Sequence, residues 1–227
     1  MSATTTKKSP GRKALIATAV LIVLAGAGVM LYPKATDLRY DWAQWRLSAA
    51  VENAPSIASA ASGDTAGVTG QDGSAASGDA ADAVFASKLA GGIQLPKGTV
   101  ARIEIPALHF KAYVLEGTDG SVLAKGPGHY PGTPLPGEAG NACIAGHRTT
   151  HGHAFRDLDK LQPGDLIFTA TAGRTAVYRV VKTLVVSPTE VSVASQSGPD
   201  RLTLTTCHPK GSAKQRLVVV AELVIGL

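Results

Sequence analysis

Aromatic residues are scarce: Phe, Trp and Tyr together make up 5% of the 227 residues. A core spread over the whole length would lack the large side chains that dominate core energetics. Part of the chain is therefore expected to lie outside any packed domain. Cysteine is nearly absent as well, with two residues, which excludes a disulfide-built scaffold. Charge of one sign is confined to one end. Lys7, Lys8, Arg12 and Lys13 supply four of the five excess positive charges, so the basicity is not read as a nucleic-acid footprint. No HExxH zinc motif and no Asp-Pro pair occur anywhere.

The basic cluster leads into an uninterrupted apolar run, Ala14 to Tyr32, of 19 residues. About 20 apolar residues cross a bilayer as a helix. The run is longer than the roughly 7–15 residues of a signal-peptide core, and Met30, Leu31, Tyr32 and Pro33 do not resemble a cleavage site. The reading is an uncleaved anchor. The basic tail over 1–13 is cytoplasmic by the positive-inside rule, the span covers 14–32, and the remainder lies outside the cell.

Beyond the span, Leu38, Trp42, Trp45 and Ala49 recur at helical spacing. They predict a short amphipathic helix, either interfacial or a continuation of the span into water. Both readings leave it outside the globular domain. Ala54 to Asp82 is rich in Ala, Ser, Gly, Asp and Thr without apolar period, the composition of a flexible tether. Asp82 to Gly91 suits a brief helix. Residues 33–92 are thus assigned to juxtamembrane helix and linker, and 93–227 to one globular domain.

Within that domain the pattern changes to short alternating runs bounded by Gly and Pro. Strands are predicted over 99–105, 110–115, 141–146, 166–170, 176–186, 201–206 and 216–224. Helical turns are expected at 119–125, at 155–161 and within 188–197, and the Gly/Pro-rich stretch 126–140 reads as loop. About eight short strands with few helices indicate an all-β fold, a closed barrel that leaves no exposed edge.

Three reactive side chains fall at strand ends. Cys207 closes the run RLTLTTC; Arg216 opens the next strand nine residues later; His147 follows the strand-like NACIAG. A hairpin would bring the guanidinium beside the thiol. The thiolate is the nucleophile, and a free thiol titrates near 8.5, so a permanent neighbouring cation favours the reactive form. His147 is placed to act as general acid toward a departing amine, and Arg216 to donate to an oxyanion. No metal or cofactor is required. His147, His151 and His153 sit close in sequence, but a Gly-containing loop does not fix a zinc tetrahedron. A Cys143–Cys207 disulfide would silence the nucleophile, so Cys143 is read as a buried free thiol.

These residues carry a resemblance. TLTTC ending at Cys207, with Arg216 nine residues on, resembles the TLxTC…R signature of sortases, and Gly146-His147-Arg148 resembles their histidine motif. The phrase from Gly126 to Phe155 is most similar to class E sortases, and the match covers roughly Gly98 to Leu227. The resemblance implies an eight-stranded sortase-type barrel and a membrane-anchored cysteine transpeptidase. Its substrates would be secreted proteins with a carboxy-terminal LAxTG- or LPxTG-like sorting signal, cleaved between Thr and Gly. Its acceptor would be an amine of a cell-wall precursor, the lipid-linked peptidoglycan stem. It also implies that few molecules carry thiolate and imidazolium together. Tyr130, Arg148, Thr205, Thr206 and His208 are carried over as candidates for contact with substrate. Loop packing is the alternative for Tyr130, and loop orientation the alternative for Arg148. His208 ranks below His147 as an acid, because adjacent strand residues face opposite ways. A pilin-polymerising sortase is disfavoured by the missing Asp-Pro pair. A non-catalytic tethered barrel is disfavoured by the intact Cys207, His147 and Arg216.

Overall fold

Leu, Val and Ile at alternate positions turn most of the domain into strands that bury one face. The computed structural model describes residues 12–52 and 93–226. Most of the expected basic tail, the Ala54–Asp82 tether and the helix expected at Asp82–Gly91 lie outside the described residues. Eight strands form: β1 (Thr99–Ile105), β2 (Phe110–Glu116), β3 (Gly128–His129), β4 (Asn141–Ala145), β5 (Leu166–Ala170), β6 (Thr175–Val186), β7 (Arg201–His208) and β8 (Gln215–Gly226). They close into a barrel in the order β1-β2-β3-β4-β7-β8-β6-β5, with β5 returning to β1. Two junctions are parallel, β2 with β3 and β4 with β7.

The barrel is the all-β closed architecture expected from the sequence, with differences at particular points. β3 falls inside the stretch read as loop. It exists because Gly128 lacks a side chain: a Cβ there would run into the Gly117 carbonyl and a methyl of Leu123. The helix expected at 119–125 shrinks to Gly120–Leu123. The turn expected over 155–161 is a 3-10 turn at Leu158–Lys160, and another precedes it at His151–His153. β7 and β8 are longer than expected and pair from Arg201↔Glu222 to His208↔Gln215.

Alternation decides which side chains meet. Leu202, Leu204, Leu217, Val219, Ala142 and Ile144 enter the core with Ile103, Ile105 and Phe155. Thr203, Thr205 and Cys207 of β7 therefore face out, as do Arg216, Val218 and Val220 of β8 and Asn141, Cys143 and Ala145 of β4. This outer face is not solvated. Cys143, Thr203 and Val218 are fully buried, beneath loops pinned by side-chain bonds. Asn141 Nδ2 donates to the Val193 and Ser195 carbonyls at 2.9 and 3.1 Å, and the Thr133 hydroxyl receives the Cys143 N–H at 3.3 Å.

The segment after the apolar run continues it as one helix, one of the two arrangements expected, and lies against the closed barrel. A single helix, α1 (Arg12–Glu52), spans 41 residues and contains the one stretch among the described residues long and apolar enough to cross a membrane. Its outer half packs on the barrel through a polar face: Thr36 and Tyr40 are buried, and Gln44 hydrogen-bonds to Tyr113 and Lys125. Positions 36, 40 and 44 lie on one face of a helix. The apolar stripe singled out in the sequence faces away, with Trp42 57% and Trp45 63% exposed.

Candidate active site

The parallel register of β4 on β7 runs from Asn141↔Arg201 to Ala145↔Thr205. It is carried one step further by the Gly146 N–H, which donates to the Thr205 carbonyl at 3.1 Å. Two residues past Ala145 and two past Thr205, His147 comes level with Cys207. On the other side Cys207 pairs directly with Arg216. His147, Cys207 and Arg216 thus fall at one backbone level of three neighbouring segments, about 4.8 Å apart from strand to strand, with Cys207 and Arg216 on the outer face. Tyr130 and Thr205 share that face, and the Tyr130 hydroxyl meets Thr205 Oγ1 at 3.0 Å.

The other carried-over residues face the opposite way. Thr206 Oγ1 donates to the Gly146 carbonyl at 2.7 Å, which locks the strand end before His147 to the one before Cys207. Arg148 is buried, 3% exposed. Its guanidinium donates to the Cys207 carbonyl at 3.3 Å, to His208 Nδ1 at 2.9 Å and to the Arg156 carbonyl at 3.4 Å, and pairs with Asp159 at 3.1 Å. Arg148 and Thr206, and His208 through its Nδ1, therefore fasten the site from behind. Lys210, in the β7–β8 turn, reaches Asp157 and Asp159 at 3.3 and 3.4 Å and ties that turn to the same loop.

Electrostatics differ across the row. Burial, and after it the neighbouring His151, hold the His147 imidazole below its ordinary value. The two rings stack with centroids 4.9 Å apart and planes 25° from parallel. His147 is accordingly mostly neutral at neutral pH, and the imidazolium form is a minority. Arg216 donates to the carbonyls of Ala213 and Gln215 at 3.0 and 3.1 Å, and these neutral acceptors leave the charge of the guanidinium intact. Cys143 and Cys207 are both free. Burial pushes the Cys143 thiol up to about 11, against smaller opposing effects of Arg201 and Thr203, so it stays an inert apolar group.

Comparison with known families decides the kinship. Residues 103–224, more than half of the chain, match the model of the Sortase domain. The chain belongs to the sortase family. It is similar to Sortase SrtE1 of Streptomyces coelicolor, 39% identical over 140 residues that cover 55% of this chain and 40% of that protein. Sortase D of Bacillus subtilis is 33% identical over 126 residues, which cover 54% and 62% of the two chains. The chain therefore spans less than two thirds of the length of these curated sortases. Among solved structures, Sortase E1 of S. coelicolor with a tripeptide in its active site superposes with a TM-score of 0.54 at 35% identity, covering 56% of this chain and 89% of that one. Within the family the chain is most like the class E sortases.

Other features of this sortase site escape a reading of the sequence. The four-residue spacing of His147 and His151 does not announce the ring stack that the two form. Asp159 carries no motif, and its role arises solely because Arg148 turns inward. Asp37, Tyr40 and Gln44 of α1 belong to a segment that composition places outside the domain.

Proposed function

We propose that this chain is a membrane-anchored cysteine transpeptidase that cleaves a carboxy-terminal LAxTG- or LPxTG-like sorting signal between Thr and Gly. The observation that carries this reading is the row of His147, Cys207 and Arg216 at one level of three neighbouring strands. The Cys207 thiolate attacks the threonine carbonyl, and Arg216 stabilises the oxyanion. The C–N bond breaks as His147 imidazolium gives its proton to the departing glycine amine, leaving a thioester on Cys207. An incoming amine then attacks the thioester, neutral His147 takes up its proton, and the thiolate departs. With a cell-wall precursor amine the product is a protein joined to the lipid-linked peptidoglycan stem, and with water it is the free acid.

Tyr130 and Thr205, on the face of the nucleophile, are the side chains proposed to touch the sorting signal. The apolar run of α1 is proposed as a single-pass anchor with its amino end in the cytoplasm and the barrel outside. The test uses the full chain in detergent micelles with LAxTG and LPxTG peptides and a glycine amine. Mass spectrometry is expected to find an acyl adduct on Cys207 and an amine-exchanged product. Cys207→Ala and Arg216→Ala are expected to abolish turnover, and His147→Ala nearly so. Normal rates in any of the three would overturn the role assigned to that residue.

A further inference from the structure

The loop that follows His147 is held in an unfavourable backbone conformation. His151, Gly152 and His153 have φ of 50°, 71° and 41° in succession. For a residue with a Cβ the left-handed region costs about 1–2 kcal/mol, and such geometry persists only where surroundings impose it. The groups that impose it come from α1. Asp37 Oδ1 accepts the Gly152 N–H at 2.8 Å. His153 Nδ1 stands 3.3 Å from the same oxygen, close enough for attraction when protonated but too poorly aligned for a hydrogen bond. The Tyr40 ring lies against Gly152 so closely that a Cβ there would overlap it.

One turn further along, Gln44 takes the place of a strand neighbour. β3 pairs with β2 only from Leu115 onward, which leaves the β2 edge around Tyr113 without a strand on that side. The Gln44 side chain fills the gap. Its Oε1 accepts the Tyr113 N–H at 2.9 Å, and its Nε2 donates to the Lys125 carbonyl at 2.8 Å. The helix is thereby registered on the barrel at two points. The first point leads to the catalytic row, because His151, next to Gly152, carries the ring stacked on His147.

We propose that the outer half of the anchor helix is a working part of the active site: Asp37, Tyr40 and Gln44 are positioning residues that hold the His151–His153 turn and, through the His151 ring, set His147 for proton transfer. The proposal rests on the reading of His147 as general acid. It assigns to a segment amino-terminal of the barrel a role in catalysis beyond attachment to a membrane.

The test uses the full chain in nanodiscs and the variant Asp37→Ala/Tyr40→Ala/Gln44→Ala, whose changes all lie on α1 and leave every barrel residue in place. Leu38→Ala, on the exposed side of the helix, is the control. Amide hydrogen exchange reads docking directly. In the triple variant, exchange at Gly152 and Tyr113 is expected to accelerate by tenfold or more as these bonds open. Turnover of an LAxTG peptide is expected to lose about tenfold or more in kcat with KM within about twofold, the pattern of misplaced catalytic groups. Asp37→Asn keeps an oxygen acceptor for Gly152 and is expected to retain most of the protection and the rate, which Asp37→Ala loses.

Unchanged exchange at Gly152 and Tyr113 in the triple variant would overturn the docking. Faster exchange with unchanged kcat would overturn the positioning role. A wild-type chain that forms no adduct on Cys207 while keeping the exchange difference would refute the transpeptidase reading, and with it any catalytic purpose for a helix that is nonetheless docked.

Discussion

Arg148 offers the sharpest separation between binding a substrate and holding a site. Replacing it by Met keeps much of the aliphatic stem and removes the guanidinium. The loss is four interactions: with the carbonyls of Cys207 and Arg156, with His208 and with Asp159. Breaking a buried ion pair by deleting one partner costs about 3–5 kcal/mol. Asp159, however, is 40% exposed, so water rehydrates it and the upper part of that range does not apply. Hydrogen bonds to a charged group contribute about 1.5–3 kcal/mol. Because the guanidinium itself is buried while its partners are partly hydrated, the expected loss is roughly 2–3 kcal/mol. For a barrel of this size that is a drop in Tm of roughly 6–12 °C. Calorimetry or thermal fluorescence on the full chain in detergent measures it. Kinetics below the melting range should show kcat falling with KM for the sorting peptide little changed, and Arg148→Lys should rescue only part, since an ammonium cannot present the same fan of donors. A raised KM with unaltered Tm and kcat would refute the clamp and return Arg148 to the substrate.

Other outcomes rest on the same geometry. His151→Ala removes the neighbour that, after burial, holds His147 down; the acid limb of the kcat/KM profile should move to higher pH, read by initial rates across the imidazole range. Gly146→Ala would put a Cβ 2.6 Å from the Phe155 ring; that ring is fully buried, so overpacking should cost about 1–3 kcal/mol in thermal or denaturant unfolding. Burial raises the Asp159 carboxyl, but Arg148, its own backbone and Lys210 outweigh it and hold it low. Its contribution to stability is therefore complete above the ordinary carboxylate value near 3.9 and is lost as pH falls through the lower folded value. Asp159→Asn should flatten the fall of Tm in that acid window. Iodoacetamide on the native chain should label Cys207 and spare Cys143, with peptide mapping as the check.

The barrel was legible because its strands bury one face each: Leu202 and Leu204 against Thr203 and Thr205 announce an alternating strand in a few letters. The shared level of His147, Cys207 and Arg216 was legible in part. That Cys207 faces Arg216 follows from a hairpin, but that His147 joins them depends on β4 lying parallel to β7, a pairing across some sixty residues that no local pattern encodes. β3 was hidden because two residues amid Gly and Pro carry no period. The docking of α1 was hidden for a different reason. Asp37, Tyr40 and Gln44 look like any solvated helix face, and attention goes to Leu38, Trp42 and Trp45, which turn out to point away from the barrel. A polar contact surface on an amphipathic helix leaves no hydrophobic signature to find.

The place of β8 sets the order in which this barrel can come into being. As the last described strand it borders both β6 and β7, so during synthesis the sheet stays open, and the strand that carries Cys207 lacks one neighbour, until β8 has emerged. Such long-range closure is slow. In the proposed orientation, with the amino end kept in the cytoplasm, the chain would thus carry an unarmed cysteine across the membrane and acquire its chemistry only once the whole barrel had arrived.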